Sequence, residues 1–260
     1  MKQLTIVLAL FSFTFSLLFP DATDDLTTDS QKTVAYKEQV LEALKYGIDS
    51  EVVALFQELG RSPGDDILRL IVERYDSVKL SVAKIEYINY FSNIKTPPAY
   101  LIDTLYNEAT DDYIDKQTRL SIINAFAKIG GLREGKYLLE NIDNPDKMIA
   151  DAAAQALVQM KIRDLAGDIL DKLAKSDEDS DYFLNIDVKN KLILALGEMG
   201  ATEAIPYLRE IISTSSNDKY SIMYGMVSLA KLKDVESLDS LYNNLGHAEV
   251  KVQEYASYSI

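Results

Sequence analysis

The sequence predicts an all-α fold, an α-solenoid built from antiparallel helix pairs. Three observations favour this fold. Hydrophobic residues make up 47% of the 260 residues, whereas glycine and proline are sparse at 11 and 6, a composition unlike loop-rich β folds and disordered chains. Apolar residues recur at helical spacing through most of the chain. Similar segments repeat at separations of 31 to 39 residues, the period of solenoids made of helix pairs.

The first 22 residues are typical of a secretory signal peptide. After a positively charged start, an uncharged apolar run extends from Leu4 to Phe19, and Pro20 ends it. Such a run, as a helix, spans roughly 24 Å, less than a bilayer core. We therefore expect a periplasmic or secreted protein of the cell envelope, tethered to a membrane only if the signal is retained. Residues 23–33 are polar and are predicted to form a flexible leader.

The repeat domain is predicted to span residues 34–260 and to hold roughly five to six helix pairs. Each first helix has an apolar anchor before a short turn, and these anchors are Tyr90, Phe126, Leu157, Leu196 and Leu229. The second helices are predicted at 98–106, 134–142, 165–173, 204–212 and 235–242, with the anchors Leu101, Leu138, Ile169, Leu208 and Leu238. A single pair cannot bury its apolar faces, so the pairs must stack.

Further helices are predicted at both ends of this array. Upstream, amphipathic helices at 34–46, 49–59 and 65–75 start the stack. Downstream, residues 250–260 read as another first helix that no second helix follows. Three residues, Tyr255, Tyr258 and Ile260, are predicted to leave an apolar edge there, which favours self-association.

One unit carries a family resemblance. Residues 188–208, V-K-x-x-x-x-x-A-L-G-x-M-G-x-x-x-A-I-P-x-L, resemble a HEAT repeat of the short bilin-lyase-like type. The match is moderate at 118–142, 149–173 and 221–242 and weak before residue 100. The resemblance implies an exported bacterial-type HEAT-repeat protein, a right-handed superhelix with its second helices on the concave side. Tetratricopeptide repeats have a similar period and are the structural alternative.

Charge and residue types exclude several function classes. The formal net charge of −14 at pH 7 disfavours nucleic acid and anionic membranes, because their phosphates are repelled. Cysteine is absent, which excludes disulfides, thiolate metal sites and cysteine nucleophiles. The one histidine, His247, has no serine-elbow or zinc-binding motif around it. We therefore expect no enzyme, no cofactor and no metal, and a basic protein or peptide as the partner.

One acidic segment matches a calcium-binding loop in part. Asp177, Asp179 and Asp181 occupy loop positions 1, 3 and 5. However, Tyr182 replaces the glycine of position 6, and Val188 replaces the bidentate glutamate of position 12. We interpret the segment as an acidic connection between two pairs, with calcium binding as the alternative.

Alignment of the second helices reveals a candidate binding face. The residue before each anchor is often tyrosine and the residue two after it is often acidic, and positions three apart share a helix face. The predicted binding residues are Tyr100, Asp103, Tyr137, Glu140, Asp168, Asp171, Tyr207 and Glu210. Tyrosine offers contact area with a polar tip, and carboxylates select basic partners. A solvated, charged helix surface without a ligand is the alternative interpretation.

These observations predict an exported, non-catalytic scaffold that binds a protein or peptide partner along its concave face. One alternative is a structural envelope subunit that assembles through its C-terminal repeat edge. A lyase-type enzyme related to the bilin lyases is less favoured, because no motif of this sequence corresponds to a lyase site.

Overall fold

The structure, a computed structural model of the chain, describes residues 28–179, 181–214 and 218–260, with side chains from Tyr36 onward. The predicted signal peptide, residues 1–22, lies outside the described residues. Helix α1 spans Thr28–Tyr46 and so begins inside the predicted leader. The flexibility of the leader, residues 23–33, stays a prediction.

The described residues divide into two compact units, with the boundary between Ile48 and Asp49. The start of the repeat domain at residue 34 stays a prediction. Among the described residues, we find no helix with both the length and the apolar character needed to cross a membrane.

The unit 49–260 consists, in its described part, of six helix pairs and one further helix. The first helices are α2 (Asp49–Leu59), α4 (Ser81–Phe91), α6 (Lys116–Ile129), α8 (Lys147–Met160), α10 (Ile186–Glu198) and α12 (Lys219–Lys231). The second helices are α3 (Asp65–Tyr75), α5 (Ala99–Ala109), α7 (Leu132–Asn141), α9 (Ala166–Glu178), α11 (Ile205–Ser213) and α13 (Leu238–Asn244). Helix α14 (Val250–Ser259) follows them. Short turns make the two helices of a pair antiparallel, and the predicted all-α array is confirmed.

The pairs stack in sequence order. Each first helix packs against the first helix of the next pair, which gives one continuous layer from α2 to α14. From α5 onward, each second helix also packs against the first helix of the following pair. Every pair thus covers the apolar side of its neighbour, as a repeat protein requires. The right-handed sense of the superhelix stays a prediction.

The predicted anchors of the first helices form the core of the stack. All are buried, and they are Tyr90, Phe126, Leu157, Leu196 and Leu229. Small residues beside them let successive first helices approach closely. A Cβ atom on Gly197 of α10 would lie only 2.6 Å from the Cα of Ser228 in α12. The hydroxyl of Ser228 also donates a hydrogen bond to the Ile193 carbonyl at 2.9 Å, so these two helices are joined at backbone distance.

The second helices keep the predicted anchors except in the last pair. The fully buried anchors are Leu101, Leu138, Ile169 and Leu208. The assignment of Leu238 is wrong, because Leu238 is half-buried whereas Leu241 is 1% exposed. A 3-10 turn at Val235–Ser237 precedes α13. Ser237 ends this turn and is buried like Ala204, which ends the 3-10 turn before α11. The buried anchor lies four residues after each of them, at Leu241 and Leu208, so the predicted alignment of this pair was three residues off.

The last helix exposes two of the three apolar residues predicted at that end and leaves the third, Tyr255, half-buried. Val252 and Ala256 are fully buried in the stack, whereas Tyr258 is 86% exposed and Ile260 is 47% exposed. Self-association through these side chains stays a prediction.

Ion pairs connect successive helix pairs at the surface. Glu198, at the end of α10, binds the ammonium groups of Lys161, at 2.7 Å, and Lys231. Lys161 follows α8 and Lys231 ends α12, so one carboxylate joins three pairs. Hydrogen bonds from these two lysines hold the pKa of Glu198 below its usual value of 4.5.

We expect Glu198→Gln to lower the free energy of unfolding at pH 7 by about 0.5–1 kcal/mol, because the two lysines are largely solvent-exposed and screened. A depressed carboxyl pKa stabilises the fold above pH 4.5 and loses that effect as the pH falls through the folded-state pKa. The difference in unfolding free energy between variant and wild type should therefore shrink below about pH 4.

Urea unfolding at pH 7 and pH 3.5 measures this difference. Glu86→Gln, an exposed position on α4, is the control, and an unchanged difference at both pH values would contradict the assignment.

Candidate functional site

The tyrosines of the candidate face connect neighbouring second helices. Tyr100 of α5, Tyr137 of α7 and Tyr207 of α11 each point their hydroxyl group at the preceding pair. In that order, the hydroxyl groups donate to Asp65 Oδ1 at 2.9 Å, the Ala109 carbonyl at 3.0 Å and Asp177 Oδ2 at 2.9 Å. Their first role is therefore to hold consecutive pairs together.

Tyr137 is not available to a partner. Its side chain is 6% exposed, its ring packs edge-on against Phe126 with centroids 5.9 Å apart, and its hydroxyl accepts a hydrogen bond from Arg119 at 3.3 Å. Burial raises the pKa of this tyrosine. The prediction that Tyr137 lies on an open face is wrong, because its ring fills the space between α5 and α7 against Tyr106.

Tyr100 and Tyr207 are half-buried and remain in part accessible. Partial burial and the hydrogen bond to Asp65 raise the pKa of Tyr100 to about 12. The Arg69 guanidinium also lies 4.3 Å from the centre of its ring. Burial and the nearby Asp177 carboxylate raise the pKa of Tyr207. Both tyrosines are thus neutral donors at physiological pH, and each fixes the position of a carboxylate.

The carboxylates of the candidate face divide into one paired and four unpaired groups. Asp103 forms an ion pair with Arg133 of the next pair at 2.7 Å. The other four side chains are exposed and have neither an ion pair nor a hydrogen bond within the described residues: Glu140, Asp168, Asp171 and Glu210. Negative charge is therefore available on α7, α9 and α11.

A cavity of about 500 Å³ brings two of the predicted residues together. Tyr207 and Glu210 line it with Asp177 and Glu178, at the end of α9, and Asp218, before α12. Its apolar lining comes from Ala174, Ile186 and Ile211, and its one basic lining residue among those described is Lys189. We name it the acidic cavity.

The acidic carboxylates of this cavity have different tasks. Asp177 forms an ion pair with the Lys189 ammonium and accepts a hydrogen bond from the Tyr207 hydroxyl. Asp218 caps α12 by accepting hydrogen bonds from the backbone N–H groups of Tyr220 and Ser221 at 2.9 and 3.1 Å. Glu178 and Glu210 lack such partners among the described residues, so they are the groups free to bind a cation.

Asp168 and Asp171 do not line the acidic cavity, but Asp171 lies next to it. Asp171, Ala174 and Glu178 are three and four residues apart on α9 and so share one helix face. The cavity therefore continues into an acidic strip along α9. Sequence reasoning did not include Asp177, Glu178 and Asp218 in the site. The signal for the first two was the acidic 177–187 segment, which the chain folds back beside Tyr207.

The polar groups of that segment form hydrogen bonds within the segment and to the preceding helix pair. Asp179 accepts a hydrogen bond from the Asp181 N–H at 2.9 Å, and the Tyr182 hydroxyl donates to Asp143 Oδ1 at 2.7 Å. Asn185 caps α10 through the Asp187 N–H at 2.9 Å. In the part of the chain that the structure describes, which leaves out Ser180, no cluster of three or more carboxylate or imidazole groups could hold a metal ion.

One segment of the stack matches a known family model. Residues 188–214 match the family model of the PBS lyase HEAT-like repeat, and this segment contains α11 and nearly all of α10. Among solved structures, human deoxyhypusine hydroxylase in complex with glycerol is similar, with 14% identity and a TM-score of 0.39 over 90% of this chain and 96% of that chain. No curated protein sequence matches the chain. The predicted resemblance is thus confirmed at 188–214, and the chain is a helical-repeat protein with a HEAT-like repeat beside its acidic cavity.

Proposed function

We propose that the chain is a non-catalytic interaction scaffold that binds a basic segment of a protein or peptide on the second-helix face of α9 and α11. The observation that carries this proposal is the set of unpaired carboxylates at the acidic cavity, Glu178 and Glu210, with Asp171 beside them. Unpaired acids on a protein surface attract cationic partners and repel anionic ones.

The acidic cavity has the chemistry that a lysine or arginine side chain needs. The aliphatic stem of such a side chain can pack on Ile186 and Ile211, while its charged head reaches Glu178 or Glu210. Tyr207 adds a rigid aromatic wall that is already held by Asp177, so little side-chain entropy is lost on binding. The apolar lining residues and the carboxylates of the acidic cavity together favour a basic peptide over a free metal ion.

The proposal includes export to the periplasm or the cell exterior, which rests on the apolar run within residues 1–22. Residues 1–22 lie outside the described residues. Mass spectrometry of the protein from its native cells checks this part: cleavage near residue 22 is expected, and a cytosolic chain that retains Met1 would contradict it.

Binding can be tested with a fluorescein-labelled decapeptide of alternating lysine, arginine and glycine residues. We expect the double variant Glu178→Gln and Glu210→Gln to weaken binding by about tenfold, since two charge-assisted contacts are lost. The matched control is Glu86→Gln with Asp112→Asn, which removes the same net charge at two exposed positions outside the cavity. Fluorescence anisotropy at about 0.15 M salt limits the contribution of long-range attraction.

The control separates a site from general charge. If both double variants weakened binding equally, the protein would attract the peptide through its net charge alone, and the proposed site would be wrong. Selective loss in the cavity variant supports it.

A further inference from the structure

A second cavity lies at the turns of the first three helix pairs. Its charged lining residues are positive, whereas the protein as a whole is negative. It has a volume of about 690 Å³ and is lined by residues from the turns that follow α2, α4 and α6. Its charged lining residues are Arg61, Lys95 and Lys128, and none of its described lining residues is acidic. Three cations therefore converge on one concave surface of a protein with a net charge of −14. We name this cavity the turn pocket.

Neutral contacts join the three residues at the turn pocket, through the side chains of Arg61 and Lys128 and through the backbone of Lys95. The Arg61 Nε donates to the Asn93 carbonyl at 2.9 Å, and the Lys95 N–H donates to the Arg61 carbonyl at 2.8 Å. The Lys128 ammonium lies 3.5 Å from the Ser92 hydroxyl. These contacts tie three consecutive turns together without neutralising a positive charge. Within the described residues, none of the three cations has a carboxylate as an ion-pair partner.

The repeat register explains why these cations stay unpaired. Lys128 lies two residues after the anchor of α6, and the same position of α10 is Glu198. Glu198 neutralises the lysines of both neighbouring turns, Lys161 and Lys231. Around Lys128, the same position is Ser92 in the preceding pair and Gln159 in the following pair. The lysines of the later turns are thus neutralised by a carboxylate of the stack, whereas the cations of the turn pocket are not.

We propose that the turn pocket binds a small multivalent phosphate-type oxyanion. The planar guanidinium of Arg61 suits two oxygens of one phosphate, and Lys95 and Lys128 act as point charges beside it. The Asn93 amide donates one N–H to the Asn89 carbonyl at 2.7 Å and keeps its second N–H for an anion, whereas the Ser92 hydroxyl donates to the same carbonyl at 2.9 Å. A single carboxylate would balance one of the three positive charges, so an anion with two or more charges is the better match.

The net charge of −14 on the protein selects for a small, free anion at the turn pocket. At physiological salt the Debye length is about 8 Å, so a small anion inside the cavity senses mainly the three nearby cations. A membrane surface or a nucleic acid would extend over the rest of the surface, where its phosphates are repelled. The ligand is therefore a soluble phosphate compound and not a lipid headgroup in a bilayer.

Isothermal titration calorimetry of the full chain with inorganic pyrophosphate and with inorganic phosphate tests this proposal. We expect pyrophosphate to bind more tightly than phosphate, and Lys95→Gln with Lys128→Gln to weaken pyrophosphate binding by about tenfold or more. The matched control is Lys79→Gln with Lys136→Gln, which removes two exposed lysines that do not line the pocket. The control should retain wild-type affinity.

Three outcomes would overturn the proposal: no pyrophosphate binding by the wild type, equal weakening in the two double variants, or binding only to vesicles of phosphatidylcholine with phosphatidic acid. Circular dichroism verifies the fold of each variant. If the pocket double variant lost helical signal, the single variants Lys95→Gln and Lys128→Gln would replace it, and each must weaken pyrophosphate binding. Neither lysine lines the acidic cavity, so this result is independent of the proposed peptide binding.

Discussion

Replacing Phe126 with alanine is expected to lower the free energy of unfolding by about 3–5 kcal/mol, the usual cost of removing a fully buried aromatic side chain. Phe126 has no exposed surface and is the anchor of α6. Its ring contacts Tyr106 of α5 and Tyr137 of α7, with centroids 6.4 and 5.9 Å away. The cavity left by its removal would lie where two helix pairs meet, and therefore neither pair can close it alone.

Urea unfolding followed by circular dichroism measures this effect. The matched control is Phe183→Ala, because Phe183 is 84% exposed and its removal creates no cavity. We expect the control to change the free energy of unfolding by less than about 0.5 kcal/mol. Equal destabilisation by the two substitutions would contradict the assigned packing of Phe126.

Gly197→Ala is expected to destabilise the stack by about 1–3 kcal/mol, although alanine is the better helix former. The added Cβ would lie 2.6 Å from the Cα of Ser228, a backbone atom that cannot rotate away. Helices α10 and α12 would have to separate, and the hydrogen bond from Ser228 to the Ile193 carbonyl, at 2.9 Å, would be strained.

Gly167→Ala is the control for this substitution. Gly167 also lies within a helix, in α9, but a Cβ atom there meets nothing within 4 Å. Only the helix preference remains, so we expect a stabilisation of up to about 0.5–1 kcal/mol. Thermal melts of both variants measure effects of opposite sign. A stabilising effect of Gly197→Ala would show that α10 and α12 are farther apart than the structure has them.

Helix positions were the part of the fold most accessible from sequence. The predicted bounds 49–59 and 65–75 coincide with α2 and α3, because apolar periodicity and clear breaks at glycine define both. The anchor of α13 was misplaced by the sequence alignment and not by its 3-10 turn, because α9 and α11 follow 3-10 turns of the same length and keep their predicted anchors. Leu238 and Leu241 are both apolar, and only packing distinguishes them.

The candidate site was predictable in its chemistry and less so in its members. Helical spacing brought Tyr207 and Glu210 to one face, and both line the acidic cavity. The same spacing could not reveal that Tyr137 is buried, because its burial depends on Phe126 of another helix. Nor could it place Asp177 beside Tyr207, since that contact joins residues 30 positions apart.

Charge separation within the stack follows from how its cations are used. Lysines and arginines of the later pairs bind acids of neighbouring pairs, as Arg163 binds Glu203 and Arg209 binds Asp234. Acids outnumber bases by 41 to 27, so carboxylates remain on the second helices. At the turn pocket the cations remain unpaired, because the positions equivalent to Glu198 in the neighbouring pairs are Ser92 and Gln159.

The most direct test of the proposed function is amide hydrogen exchange of the full chain with and without the lysine- and arginine-rich decapeptide. Bound peptide should slow exchange in residues 166–213, which contain α9, α10 and α11, and the Glu178→Gln, Glu210→Gln variant should abolish that protection. Protection confined to the first helices α4 and α6, or no protection while the peptide is bound, would contradict the claim that the second-helix face around the acidic cavity is the binding site.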